Sequence, residues 1–314
     1  MRHHMSLTVL AVLLAVMAPD IPIARGQQAA KTHVRLNRLA SLLDEDKAAF
    51  GLIVNSGSVG GGPADAVGHA NNRDLDLVVY DLEHSPFDVA ALRTYMQFLL
   101  DPGAIARAGD VKATKAVFVR IPAYGREVDK NHWMIKNVLD TGVHGLVFPH
   151  IETPEQALGA VRAMRYPQKP GAPDFEPEGL RGSSAATAAR YWGLPVSEYM
   201  ERSDIWRLDP AGNLIPWFLI ENKLGVANVR EIARQLKASN VGAVLWAGTG
   251  DLGVSYSNDQ QAVAKAVDTI LAAGREFGLP VAMNGSANVR SRMEQGARIF
   301  MGGITAEARK EAGR

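Results

Sequence analysis

The stretch LDLVVYDLEH, residues 75–84, changes character halfway along. Its first part is largely apolar and is typical of a buried β-strand. Its end places Asp81, Glu83 and His84 within four residues. A fully buried strand has no use for three titratable groups, and a surface loop does not need the apolar run that precedes them. The pattern therefore indicates a strand whose end faces a functional cavity.

Seven other apolar runs in the chain resemble residues 75–81, and amphipathic segments lie between most of the eight. The eight runs are FGLIVN (50–55), LDLVVYD (75–81), KAVFVRIP (115–122), HGLVFP (144–149), IPWFLIE (215–221), GAVLWAG (242–248), LPVAMN (279–284) and ARIFMGG (297–303). Such runs suit strands buried on both faces of a parallel sheet. Eight strand–helix units in about 260 residues predict an α/β protein with a single-domain (β/α)8 TIM barrel. A doubly wound open sheet is the alternative, but no Gly-rich phosphate loop follows the first run.

Segments of helical period lie between the runs, and one long segment is irregular. Helices are predicted within residues 34–50, 87–100, 131–142, 153–165 and 228–239. The segment between the fourth and fifth runs, residues 166–195, is rich in Pro and Gly. So long an excursion usually carries function or a partner contact.

The first 26 residues have the pattern of a secretory signal. MRHH is followed by LTVLAVLLAVMA (7–18), which carries no charge, and then by small residues near Ala24 and Gly26. Twelve apolar residues are too few for a permanent transmembrane helix, which needs about 20. We therefore expect a signal peptide at 1–26, a barrel domain at 27–314 and a periplasmic or secreted product that is not held in the membrane. An uncleaved amphipathic start, or initiation at Met5, is the alternative.

Composition excludes several classes of function. Of the 314 residues, 47% are hydrophobic and 21% charged, as in a globular protein with a sizeable core. Without residues 1–26 the basic and acidic residues are equal in number, which is unlike a nucleic-acid-binding protein. The absence of cysteine excludes disulfides, zinc–thiolate sites and thiol nucleophiles.

Polar residues stand at the ends of most predicted strands, which is where barrel enzymes place their chemistry. In chain order these residues are Asn55, Asp81, Glu83, His84, Arg120, His150, Glu221, Asn222, Asp251 and Asn284. Asp251 is reached through Gly248, Thr249 and Gly250. The clustering predicts one shared cavity at the C-terminal end of the barrel.

Glu221 and Asp251 are the predicted metal ligands. They follow adjacent strands, and two carboxylates with open positions suit a divalent ion such as Mg²⁺ or Mn²⁺. The alternative is that these acids cap the helices that follow them.

Three further residues are candidates for catalysis or substrate binding. His84 is the best candidate for a base near neutral pH, and Asp81 is placed to fix its tautomer. Arg120 can clamp a carboxylate or stabilise an oxyanion; an ion pair with Asp81 or Glu83 is its alternative role. His150 is expected near the metal or the substrate, and Glu83 is expected to support its neighbours.

From about Asn37 to Ala306 the chain resembles the HpcH/HpaI aldolase family of metal-dependent class II pyruvate aldolases. The segments that carry the resemblance are YDLEHSPFD, VFVRIP, IKNVLDTGVHGLVFPHIETPEQA, RYP, LRG with ARYWG, FLIEN and AGTGDLG. They occur in the family's order across nearly the whole mature chain.

The resemblance implies reversible cleavage of a 4-hydroxy-2-oxo acid to pyruvate, or a related 2-oxo acid, and an aldehyde. It implies that Glu221 and Asp251 hold Mg²⁺, Mn²⁺ or Co²⁺, and that His84, oriented by Asp81, moves the proton of the 4-hydroxyl. Asp140 matches an acid that reaches the histidine–aspartate pair of a neighbouring subunit, so trimers or hexamers are implied. The loop Gly248, Thr249 and Gly250, with Asn222 and His150, is expected to bind the substrate.

Several positions depart from the family pattern. Leu219 stands where Gln is usual, Thr249 where Pro is usual and Gly253 where Ser is common. Asn222 replaces Thr or Ser, and His150 stands at a position that is usually apolar. The segment before Arg181 is extended by PQKPGAPDFEPEG. These changes leave two alternatives open: a lyase acting on acyl-CoA thioesters, and an exported protein that binds small acids without turnover.

Overall fold

The computed structural model describes residues 35–56, 60–111 and 114–314, so the predicted signal peptide at 1–26 lies outside the described residues. Eight parallel strands form a closed barrel in which each strand pairs with the next and β8 pairs with β1. The strands are β1 Ala49–Val54, β2 Leu77–Asp81, β3 Ala116–Arg120, β4 Leu146–Phe148, β5 Trp217–Ile220, β6 Val244–Ala247, β7 Val281–Asn284 and β8 Ala297–Met301. The barrel predicted from the sequence is confirmed, and one strand forms at each apolar run.

The helices surround the barrel. They are α1 Arg38–Asp44, α2 Pro63–Asn71, α3 Val89–Leu99, α4 Pro102–Ala108, α5 His132–Leu139, α6 Pro154–Met164, α7 Ala186–Tyr191, α8 Val196–Arg202, α9 Lys223–Ala238, α10 Thr249–Ser255, α11 Gln260–Phe277, α12 Val289–Gln295 and α13 Ala306–Glu311, with a 3₁₀ helix at Gly125–Lys130. The first predicted helix was too long, because the end of segment 34–50 already belongs to β1. Every helix in the described ranges is too short or too polar to span a bilayer.

The barrel interior is filled by large side chains. Phe118, Trp217 and Trp246 point inward, with ring centroids 5.0 Å apart for Phe118 and Trp217 and 5.5 Å apart for Trp217 and Trp246. The opposite faces of the strands pack against the helices in a separate, larger core. Because both faces of every strand are buried, the strands appear in the sequence as continuous apolar runs rather than as alternating patterns.

Helix α1 closes the N-terminal end of the barrel. Leu39 and Leu43 belong to the same buried cluster as the inward-facing strand residues and Trp206. The helix begins after Asn37, whose side chain accepts hydrogen bonds from the N–H groups of Leu39 and Ala40. This seal leaves the C-terminal end of the strands as the side from which a ligand can approach the interior.

Arg165 holds the irregular segment 166–195 in place at its base. The guanidinium, which is fully buried, donates to the carbonyl oxygens of Asp174 and Pro177 at 2.9 and 2.7 Å. It also donates to both carboxylate oxygens of Asp204 at 2.6 and 2.7 Å. The early part of the extension is therefore anchored to the end of α6.

Candidate active site

Asp81, at the end of β2, and Arg120, at the end of β3, are in direct contact. They are paired in register at the ends of these strands. Arg120 donates from Nε and Nη2 to the two carboxylate oxygens of Asp81, at 2.9 and 2.5 Å. Burial opposes the ionisation of Asp81, but the hydrogen bonds and charge of Arg120 outweigh it, and the pKa of Asp81 lies below its usual value. The ion pair weighed as an alternative for Arg120 is therefore present.

The Asp81 carboxylate also accepts hydrogen bonds from the backbone. Its Oδ1 accepts the backbone N–H groups of Glu83 and His84, at 3.0 and 3.4 Å, and its other contacts are with Arg120. Within the described residues its hydrogen bonds go to these three partners and not to the His84 ring. In this arrangement the adjacent arginine is the stronger partner of Asp81, and the expectation that Asp81 orients His84 stays a prediction.

Glu83 is the carboxylate beside the His84 ring. The Oε2 atom of Glu83 lies 3.6 Å from Nε2 of His84 and 3.2 Å from Nε of Arg120. Burial raises the pKa of Glu83, although the charges of Arg120 and His84 partly offset it. The His84 side chain is 61% exposed, so its ring is open to solvent beside Glu83.

Glu221 is a buried carboxylate at the end of β5. It is 3% exposed, and its Oε1 accepts the backbone N–H of His150 at 2.7 Å. No lysine or arginine of the described chain forms an ion pair with it; within the described residues its ion-pair partner is His150, with Nε2 3.7 Å from Oε1. Burial raises the pKa of Glu221 to about 8, and the negative charges of Asp251 and Glu83 add to the shift.

Asp251 lies in the first turn of α10, which begins directly after β6. The Oε2 atom of Glu221 lies close to the start of α10, because a methyl group added at Gly248 would be 2.7 Å from it. Thr249 accepts a hydrogen bond from Asn284 at 3.1 Å. The predicted loop Gly248, Thr249 and Gly250 is therefore the start of a helix, packed closely against Glu221.

The capping alternative for the two acids is wrong for Glu221. The N-cap of α9 is Asn222, whose Oδ1 accepts the N–H of Gly225 at 2.9 Å. The N-cap of α10 is Gly248, so Asp251 lies inside that helix rather than at its cap. Asp251 nevertheless lies in the first turn of α10, where a negative charge favours the helix N-terminus, so for Asp251 the alternative stays open.

The residues fit a divalent cation. Glu221 is buried beside Asp251 and Glu83, whose charges act against its ionisation. The His150 N–H and the charge of Arg120 offset this only in part. A buried carboxylate that is incompletely compensated is costly, and a divalent cation is a ligand that would compensate it. Carboxylate oxygens are the donors that Mg²⁺ and Mn²⁺ prefer.

A second acidic group lies near the opposite end of β5. Ligand oxygens of Asp174, Asp204 and Asp209 lie within 4.8 Å of one another. Arg165 binds Asp204 through two hydrogen bonds and reaches Asp174 at 3.1 Å. This arginine already supplies a positive charge to the group, and the N-terminal end of a barrel serves stability rather than chemistry. The pair Glu221 and Asp251 is the better metal candidate.

Asn222 and His150 are held by contacts that the sequence did not predict. The Nδ2 of Asn222 donates to Oε1 of Glu152 at 2.9 Å and lies 3.4 Å from Nδ1 of His150. The Tyr124 ring packs on the His150 ring with centroids 4.2 Å apart. Burial lowers the pKa of His150, against the charges of Asp251 and Glu152. Tyr124 and Glu152 were missed because neither stands at a strand end.

Asp140 is engaged within its own chain. Its carboxylate accepts Lys136 Nζ at 2.5 Å and Nη2 of the buried Arg181 at 3.1 Å. Arg181 also donates to the Tyr199 hydroxyl at 3.2 Å. The role in a neighbouring subunit, and with it the trimer or hexamer, stays a prediction. Arg181 is a further polar residue of this region that sequence reasoning did not assign.

Leu219 forms part of the apolar floor beneath the acids. It belongs to the barrel-interior cluster with Trp217 and Trp246. Its Cδ2 would lie 3.3 Å from a methyl group at Gly248. The usual Gln at this position would place an amide in this cluster, so the substitution makes the floor of the site less polar.

The chain is similar to known proteins of one family. The sequence profile of the HpcH/HpaI aldolase/citrate lyase family matches residues 59–310. A 5-keto-4-deoxy-D-glucarate aldolase from Escherichia fergusonii is 31% identical over 229 residues, which are 71% of this chain and 75% of the relative. A hydroxypyruvate/pyruvate aldolase from Paraburkholderia phytofirmans is 32% identical over 247 residues, 77% of this chain and 82% of the relative.

The solved structure of an HpcH/HpaI aldolase/citrate lyase family protein from Burkholderia cenocepacia is similar to this chain, with a TM-score of 0.64 and 27% sequence identity. The match covers 84% of this chain and 91% of that one.

Proposed function

The chain belongs to the HpcH/HpaI aldolase/citrate lyase family, and from this premise we propose that it is a divalent-metal-dependent aldolase. The proposed reaction is reversible cleavage of a 4-hydroxy-2-oxo acid to pyruvate, or a related 2-oxo acid, and an aldehyde. Membership of the family, together with relatives named as aldolases, makes the protein a carbon–carbon lyase. The substrate class and the metal are the finer parts of the proposal.

The observation that carries the proposal is the buried Glu221 carboxylate. It is nine-tenths or more buried and, among the residues that the structure describes, forms no ion pair with a lysine or arginine. Asp251 and Glu83 lie close enough to raise its pKa further. Such a cluster of acids suits a site for a divalent cation and an anionic substrate rather than a structural ion pair.

In the proposed mechanism Glu221 and Asp251 hold the ion and Arg120 holds a substrate oxygen. The ion, when bound, would stabilise the negative charge that develops on the 2-oxo acid as the C–C bond breaks. Asp81 binds Arg120 through Nε and Nη2, so Nη1 is the end of the guanidinium that bonds to no described residue. A hydrogen-bond donor that is already held in position stabilises the negative charge that develops on the substrate oxygen in the transition state, and so lowers the barrier.

Glu83 and His84 are the proposed groups for proton transfer. The substrate must lose the proton of its 4-hydroxyl as the bond breaks, and the His84 imidazole can accept it. Glu83, 3.6 Å from the His84 ring nitrogen, is proposed to share the orienting role that is expected of Asp81. It would stabilise the protonated ring after the transfer.

The test is release of pyruvate from 4-hydroxy-2-oxopentanoate, followed by reduction of the product with lactate dehydrogenase. We expect turnover with added Mn²⁺ or Mg²⁺, loss of turnover in EDTA, and recovery when the ion is restored. Glu221→Gln should lose turnover at every concentration of the ion. Turnover that is unaffected by EDTA and retained in Glu221→Gln would contradict the metal-dependent mechanism.

The same assay bears on the alternatives left open by the sequence. Folded protein that binds Mn²⁺ and a 2-oxo acid but releases no pyruvate would favour the non-catalytic binding protein. Cleavage of an acyl-CoA thioester in place of the hydroxy-oxo acid would favour the acyl-CoA lyase.

A further inference from the structure

The amide orientation of Asn222 is fixed by two independent contacts. Its Oδ1 accepts the Gly225 N–H at 2.9 Å as the N-cap of α9. Its Nδ2 donates to the Oε1 atom of Glu152 at 2.9 Å. Reversing the amide would place an oxygen against a carboxylate and an NH₂ group against a backbone N–H. Both contacts would be lost, so the NH₂ group must face His150.

This orientation determines the tautomer of His150. The Nδ2 of Asn222 lies 3.4 Å from Nδ1 of His150. Because Nδ2 carries only donor hydrogens, Nδ1 must supply the lone pair, and the hydrogen of a neutral imidazole is then on Nε2. His150 therefore directs an N–H group, not a lone pair, toward the metal candidates.

The ring is held in this position from several sides. The Tyr124 ring packs on it with centroids 4.2 Å apart. The His150 backbone has φ 48°, in the left-handed region that non-glycine residues rarely adopt, and its N–H is bonded to Glu221 Oε1 at 2.7 Å. The backbone conformation thus serves to place both N–H groups of one residue on the same side of Glu221.

The Nε2–H group forms no hydrogen bond with any residue in the described ranges. Its nearest acidic atom, Glu221 Oε1, lies 3.7 Å away, which is too far for a hydrogen bond. The same oxygen already accepts the His150 backbone N–H, and the other oxygen, Oε2, faces Gly248 and α10. A ligand oxygen placed beside Oε1 would meet the free donor.

We infer that His150 binds an oxygen of the 2-oxo acid substrate through Nε2–H and is not a metal ligand. The inference rests on the proposed function and narrows the expected substrate-binding role of His150 to a hydrogen bond donated by Nε2–H. A 2-oxo acid offers acceptor oxygens on its carboxylate and keto groups, and a 3-hydroxylated acid offers one more. The usual apolar residue at this position can form no such bond, so His150 is a specificity determinant of this chain.

The tautomer can be measured without turnover. We would label the protein with ¹⁵N-histidine and identify the His150 signals by their loss in His150→Leu. The metal-free protein should show an unprotonated Nδ1 and a protonated Nε2. A neutral ring with its proton on Nδ1 would overturn the inference, because the Nε2 lone pair would then face Glu221. Since no substrate is present, this result stands whether or not the proposed reaction occurs.

Two variants separate substrate binding from metal binding. His150→Leu removes the donor, whereas His150→Gln keeps an N–H donor near the position of Nε2. We expect at least one of the two acids, pyruvate or hydroxypyruvate, to bind the Mn²⁺-loaded His150→Leu protein about tenfold more weakly than the wild type. His150→Gln should recover most of that loss. Affinity for Mn²⁺ alone should change less than about threefold in both variants.

The pattern of losses identifies the oxygen that is bound. Weakening of both acids indicates the shared carboxylate or keto group, and weakening of hydroxypyruvate alone indicates the 3-hydroxyl group. Unchanged binding of both acids would overturn the inference, as would a tenfold loss of Mn²⁺ affinity in both variants. Failure of the wild-type protein to cleave a hydroxy-oxo acid would count against the proposed function alone, since these measurements are equilibrium binding.

Discussion

Arg120 and Asp81 lie opposite each other at the ends of neighbouring strands and share two hydrogen bonds, at 2.9 and 2.5 Å. This pairing connects the fold to the proposed chemistry. The strand register brings the two side chains together, and the carboxylate holds one edge of the guanidinium. The remaining nitrogen, Nη1, is then available for a substrate oxygen.

Asp81→Asn should destabilise the protein at neutral pH. The substitution removes the charge that compensates a largely buried arginine, and we expect the free energy of unfolding to fall by about 2–4 kcal/mol at pH 7. The folded-state pKa of Asp81 lies below its usual value, so the ion pair stabilises above pH ~4 and the difference between the proteins should shrink as pH falls through the folded-state value. Urea unfolding measured across pH tests this.

Glu276→Gln is the matched control, because it breaks the exposed pair of Glu276 and Arg230. Such pairs contribute little, so this variant should unfold almost like the wild type. Equal losses in the two variants would contradict the importance assigned to the buried pair.

Gly248→Ala should impair the metal site without unfolding the protein. The added methyl group would lie 2.6 Å from Cβ and 2.7 Å from Oε2 of Glu221, so the carboxylate must move. We expect Mn²⁺ affinity, measured by calorimetry, to fall at least about tenfold, in line with other perturbations of metal ligands. Gly253→Ala, where the nearest atom is 3.4 Å away, is the control and should bind the ion normally. Normal binding by Gly248→Ala would show that Glu221 is not a ligand.

Glu221→Gln should stabilise the metal-free protein at alkaline pH. The carboxyl has a pKa of about 8 in the folded chain and near 4.5 when unfolded, so the folded state binds the extra proton between these values. Wild-type stability should therefore decline by up to ~4 kcal/mol as pH rises from 4.5 to 8. Thermal unfolding in EDTA should show this decline for the wild type and a flatter profile for Glu221→Gln.

Added Mn²⁺ provides the second half of that experiment. An ion that binds only the folded state raises the melting temperature. The increase should occur in the wild type and be absent in Glu221→Gln. An equal increase in both would place the ion elsewhere, with the Asp174, Asp204 and Asp209 group as the next candidate.

His144 should make the fold sensitive to mild acid. It is fully buried, its Nδ1 accepts the Val117 N–H at 3.1 Å, and burial lowers its pKa to about 4. The unfolded chain binds the proton first as pH falls from 6.5 to 4, so this group alone should remove up to ~3 kcal/mol of stability over that range. His144→Asn keeps an acceptor for Val117 and should flatten this part of the profile, even if its stability at pH 7 is lower. An unchanged slope would contradict the assignment.

The barrel could be predicted from the sequence because its pattern is local. Each strand is an apolar run buried on both faces, as in residues 75–81, and the polar strand ends fall at one side of any parallel barrel. Membership of the family followed from motifs such as YDLEHSPFD and was confirmed by the family profile. Helix α1 was less clear, since nothing in 34–50 marks where the helix stops and β1 starts.

The contacts within the site could not be predicted in the same way. Asp81 is close to His84 in sequence, but its neighbour across the sheet, Arg120, takes its carboxylate. The tautomer of His150 depends on Asn222, 72 residues further along. Such choices depend on the register of the barrel and on competition between partners, which single motifs do not encode.

Hydrogen–deuterium exchange at the pyruvate methyl group tests the central claim most directly. Pyruvate would be incubated in D₂O with the protein and Mn²⁺ or Mg²⁺, and the methyl signal followed by NMR. Exchange should require the ion and should be lost in Glu221→Gln and Asp251→Asn, which keep the shape of each side chain. Absence of exchange from folded, ion-loaded wild-type protein, or exchange that persists in both variants, would contradict the assignment of Glu221 and Asp251 to a metal site that activates 2-oxo acids.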